Sequence, residues 1–199
     1  MVSKCYGVVV GAGLLLLPLM GQAQPSRPQV VPESRINVRF YEVNATSPDQ
    51  LARSIAQSAP RVNGKPVLGK ASYQVDWQLE TEQLQGACQL RRVMVTTHAT
   101  ILLPRWNQSA NGSDPARQRW GRLLSNMFDY ESRLKEMVSQ GASQVGGAIA
   151  ALPGHADCQA LRYAAWAAGS SELTRIQGRI DSFQRQTGYG EQLGVQWPR

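Results

Sequence analysis

Beyond Met20 the chain contains no apolar run approaching the roughly 20 residues a membrane-crossing helix needs. Nothing after the first two dozen positions therefore asks for a bilayer. Histidine is nearly missing: His98 and His155 are the two in the sequence, too few for an ordinary three-histidine zinc site. Cysteine is scarce as well. Cys5, Cys88 and Cys158 include no C-x-x-C pair and have no His beside them in sequence, which argues against a thiolate metal site. No G-x-S-x-G elbow is present to serve a serine hydrolase. Positive charge is plentiful, +7 overall, but no run of Lys or Arg exceeds two residues and no ladder of alternating aromatic and basic residues appears. That charge reads as a solvated surface, and nucleic-acid binding is excluded on these grounds.

What is present begins with secretory grammar. Lys4 supplies a positive start, Val8 to Met20 an apolar stretch, and Gly21-Gln22-Ala23 small residues at the cleavage positions. Residues 1–23 are expected to be a cleaved signal peptide rather than an uncleaved anchor, leaving no transmembrane segment and a periplasmic or secreted protein. Cleavage would leave about 176 residues, enough for one domain with its own core, and a charge of +6, since Lys4 leaves with the peptide. It would also remove Cys5. The remaining pair, Cys88 and Cys158, is then expected to be bridged in an oxidising compartment; the other reading is two buried free thiols.

Residues 24–34, with Pro25, Pro28 and Pro32, read as an extended leader, and 35–199 as the single folded domain. Ile36, Val38 and Phe40 alternate with polar residues as a strand, and Ser47-Pro48-Asp49 opens a short helix ending before Pro60. A turn follows at Asn63-Gly64. Tyr73, Val75, Trp77 and Leu79 share one face of a second strand; Val93, Val95, Thr97, Ala99 and Ile101 share one face of a third, which Pro104 should end. The connection through Gly86 predicts an antiparallel hairpin. From Ser113-Asp114-Pro115 the period changes to three and four, along a stripe running from Trp120 to Leu152 that predicts a long helix, bent or interrupted at Gly141, Gly146 and Gly147. Two further helices follow, one from Cys158 to Gly169 and one carrying Leu173 to Phe183. The expected fold class is α+β: an antiparallel sheet with a long hairpin, then a long helix and two more.

Over nearly the whole of this domain the sequence resembles the bacterial predicted secreted zinc-dependent proteases. The likeness rests on Tyr41-Glu42-Val43, Tyr73-x-Val75-x-Trp77, Cys88 with the strand after it, Leu103-Pro104-Arg105-Trp106, Trp120, Cys158, Thr187-x-Tyr189-Gly190 and Pro198. The resemblance implies a zincin-like fold, with zinc held by an H-E-x-x-H helix motif and a third His in T-x-H-G. In that motif two His on one helix face grip the metal and the Glu deprotonates its water. Here the aligned residues are Tyr130, Glu131 and Leu134 on the long helix and Tyr189 near the end. All three His are replaced, and only Glu131, at the general-base position, remains.

Leu134 has no lone pair, and tyrosine would have to ligate as a phenolate from a pKa near 10. The residues thus predict a non-catalytic relative with no cofactor, binding an unknown envelope protein or anionic polymer. The alternative is a zinc peptidase with a non-standard site using Glu131. Because Lys135 stands four residues after Glu131 and Arg133 four after Asp129, the plainer expectation for Glu131 is a surface ion pair with Lys135. A basic adaptor for anionic polymers is the third reading.

Overall fold

The alternation from Val93 to Leu103 does what period-two patterning demands: it makes β5 (Ala87–Trp106) the central strand, with the odd-numbered residues of that stretch buried. β4 (Lys70–Leu84) pairs with it antiparallel, Tyr73 opposite Ala99 and Trp77 opposite Val95. The tight turn between them carries positive φ at both Gln85 and Gly86, the twist that suits a two-residue hairpin. A computed structural model describes residues 27–62, 64–107 and 113–196, so the predicted signal peptide lies outside the described residues.

The third strand corrects two expectations. β1 (Gln29–Val43) lies on the other side of β5 and runs parallel to it, Val30 beside Val93 and Val43 beside Trp106. The sheet is therefore mixed, in the order β1-β5-β4. The strand also starts well inside the supposed leader and passes through Pro32, which an edge strand tolerates because one side of it needs no N–H. Pro104 does not end β5 either. Beyond Leu102 β4 no longer flanks it, so the missing N–H leaves no gap on that side. After β1 come α1 (Pro48–Ser58) and a small hairpin, β2 (Arg61–Val62) with β3 (Lys65–Pro66), turned at Gly64.

α2 (Asp114–Ala150) and α3 (Cys158–Gln186) pack against the sheet and each other. α2 follows the predicted stripe without a break: at Gly141 and Gly146 a Cβ would run into Ile176 and Val30, so these glycines allow close packing, while Gly147 faces open space inside an intact helix. α3 is a single helix where two were expected. Gly169 sits inside it against the Trp77 ring, leaving room for the indole instead of ending the helix. Asp157 caps its start by accepting from Gln159 and Ala160 N–H. Among the described residues no helix is long and apolar enough to cross a membrane.

One core joins these elements. At one end of it Val43 pairs with Trp106, whose indole N–H donates to the Ala45 carbonyl at 2.8 Å and whose ring meets Trp120 edge-on at 5.9 Å. At the other end of β5, Cys88 is bonded to Cys158, and its backbone exchanges two hydrogen bonds with His155, at 2.7 and 3.0 Å.

Candidate functional site

The apolar stripe of α2 meets the cavity where its spacing brings Met127, Tyr130, Glu131 and Leu134 onto one side, at steps of three, one and three. α3 contributes Gln177, Ile180 and Gln184 by the same periodicity, and β4 contributes Tyr73 from its buried face. The far wall is the segment after α3, where Gly188, Tyr189 and Gly190 all have positive φ and fold the chain back so that Glu191 and Val195 close the space. The enclosed volume is about 520 Å³, open at the side of Lys70 and Tyr189.

Sequence positions 130, 131, 134 and 189, singled out separately, thus line one cavity. Their environments differ. Leu134 is buried in the core. Tyr130 is buried and stacked on Phe183, ring centroids 5.6 Å apart; burial pushes its phenol up to about 12, against a smaller lowering from the Gln184 side chain. Tyr189 is 66% exposed at the rim, in the left-handed region at φ 56°, where a residue with a Cβ is strained.

Glu131 departs most from expectation. It is 7% exposed and turned inward, and among the described residues its one hydrogen bond is from the Tyr73 hydroxyl, which donates to Oε2 at 3.3 Å. The expected surface ion pair with Lys135 does not form. Loss of hydration on burial raises the carboxyl to about 7, with the Tyr73 hydrogen bond pulling weakly the other way. The same contact, added to burial, lifts the Tyr73 phenol far above its ordinary value. A buried carboxyl with a raised pKa in a cleft marks a candidate functional position.

Zinc does not fit these residues. Leu134 offers no donor atom, Tyr130 holds its proton to about 12, and among the described residues no group of three or more His, Cys, Asp or Glu could hold a metal. His98 lies on the opposite face of the sheet, 3.7 Å from Asp76, while His155 is tied to Cys88. Ten residues of β5, about 33 Å of strand, separate His98 from that end.

Tyr73 is the site residue that sequence reasoning missed. It was legible as an inward-facing strand residue, but nothing in a period of two says which helix position it will oppose, 58 residues away.

No curated protein matches the chain, and no solved structure does. A family model does match: residues 38–190 fit that of the bacterial proteins of unknown function called DUF922, a span running from within β1 to the turn beside the cavity, and the chain belongs to that family.

Proposed function

We propose that the protein is an exported, non-catalytic binding protein of the bacterial cell envelope, working through this cavity on a metalloprotease-like scaffold from which the zinc ligands are gone. The observation that supports it is the convergence of Tyr130, Glu131, Leu134 and Tyr189 on one space, with side chains that build a pocket but not a metal centre. Apolar walls with a few inward polar groups, at several hundred Å³, are what small-molecule sites look like. The expected partner context is an envelope protein or an anionic polymer meeting the basic exterior. Metal analysis of native, untagged protein tests the central point, the expected result being no bound zinc after mild chelation. Stoichiometric zinc that survives it would sink the proposal.

A second reading draws on the raised carboxyl. Glu131, titrating near 7, has the pKa wanted of a general acid or base, and Tyr73 could orient it within a hydrolase. Loss of a measurable peptidase activity in Glu131→Gln, with folding intact, would favour that reading over the first.

A further inference from the structure

The cavity contains a carboxyl group walled by tyrosines, and the charge on its surface is uneven. Tyr73, Tyr130 and Tyr189 come from three different elements, β4, α2 and the closing turn, and all border the same space as Glu131. A second carboxylate, Glu191, stands on the turn wall, and among the described lining residues Lys70 is the one cation, exposed at the opening. A carboxylate has about four acceptor positions; Tyr73 occupies one of those on Glu131. Burying such a group without a positive partner is costly, and a cation placed beside it offsets part of that cost. Aromatic rings around the same space add to that preference, because their faces attract ammonium groups.

We propose that the cavity binds a small organic amine: a free ammonium group seated at Glu131 among the three tyrosines, with an apolar body lying against the walls at Met127 and Ile180. This rests on the reading of the cavity as a binding site and adds the chemical class of its ligand. A volume of about 520 Å³ accommodates a molecule of that kind and lies within the usual range for small-ligand sites. A carboxylate ligand would meet two acids, and a neutral one would leave Glu131 without its counter-charge.

The test uses three probes of one shape, hexylamine, hexanol and hexanoate, titrated into the whole protein while the methyl signals of Met127 and Ile180 are followed by NMR. Hexylamine is expected to bind about tenfold or more tightly than hexanol, and hexanoate more weakly than either. Glu131→Gln is expected to abolish the advantage of the amine while leaving hexanol binding in place. Equal affinity of hexylamine and hexanol would overturn the inference yet leave the cavity a binding site. Failure of all three to shift those methyls would overturn the proposed function as well. A lysine-bearing peptide that displaces hexylamine at lower concentration would overturn the assignment to a free amine. The comparison of probes on the unaltered protein stands even if the variant fails to fold.

Discussion

Where α2 passes into α3, a disulfide and a pair of backbone hydrogen bonds fasten the turn to the start of β5; roughly 30–40 Å further along α3, the same two helices line a cavity with a buried carboxyl and a glycine-framed turn. The first region is filled by Leu161, Ala165, Val145 and Ile149, all fully or almost fully buried. The second holds Glu131 without a cation, an exposed tyrosine and a run of left-handed backbone. The buried carboxyl and the left-handed backbone of Tyr189 each disfavour the folded state on their own. Their concentration at one end, opposite a covalent clamp, is the arrangement of a site carried by a scaffold rather than of a core packed evenly throughout.

The clamp offers the largest test. With a sequence separation of 70 between the cysteines, the chain-entropy model gives about 4 kcal/mol of stabilisation. The double variant Cys88→Ser/Cys158→Ser is expected to lose most of that in urea denaturation. The comparison sharpens if the remaining folded protein keeps its cavity affinity unchanged. It breaks if affinity falls along with stability.

At the cavity end the expected effect depends on pH. The Glu131 carboxyl titrates at about 7 when folded and near 4.5 when free, so the unfolded chain releases its proton first. Its contribution is fully present below about pH 4.5 and is lost as pH rises through 7. The loss is on the order of 3 kcal/mol. Glu131→Gln, measured against the unaltered protein by denaturation at pH 4, 6 and 8, should therefore match it most closely in acid and surpass it at pH 8. Two parallel curves would show that the carboxyl carries no such burden.

The disulfide end was the more legible of the two in the sequence, for physical reasons. Alternation in β4 and β5 states burial directly, and two cysteines in a chain read as exported predict a bridge. β1 showed its alternation but not its direction, because a single strand looks the same parallel or antiparallel; pairing to β5 decided that. Glu131 was read as half of an ion pair because i to i+4 spacing is visible, whereas the approach of Tyr73 from another layer is not. Positions 130, 134 and 189 were marked by what they lack relative to a motif, and only the fold shows that they share a space.

Gly169 tests the misread helix between the two ends. A Cβ there would lie 2.7 Å from the Trp77 ring, a rigid neighbour, while one at Gly178 in the same helix would meet nothing within 4 Å. Gly178→Ala should stabilise by up to about 1 kcal/mol through helix propensity. Gly169→Ala gains the same propensity but must displace the indole, for a net loss of about 1–2 kcal/mol. Equal effects of the two changes would mean that the Trp77 contact does not explain why a glycine is tolerated mid-helix.

The smallest expected change separates strain from packing at the mouth of the cavity. Tyr189 sits at φ 56° between two glycines that are also left-handed, a conformation costing a side-chain-bearing residue about 1 kcal/mol or more. Tyr189→Gly relieves that cost and adds unfolded-chain freedom worth roughly 0.5–1 kcal/mol, so stability should rise slightly or stay level, by less than about 1 kcal/mol. A residue 66% exposed has little burial to lose. Amine affinity should fall, since one wall of the site goes with the ring. Opposite signs for stability and binding would mark Tyr189 as held in strain for the ligand; a clear loss of stability would make it part of the wall's own packing and erase the contrast between the two ends.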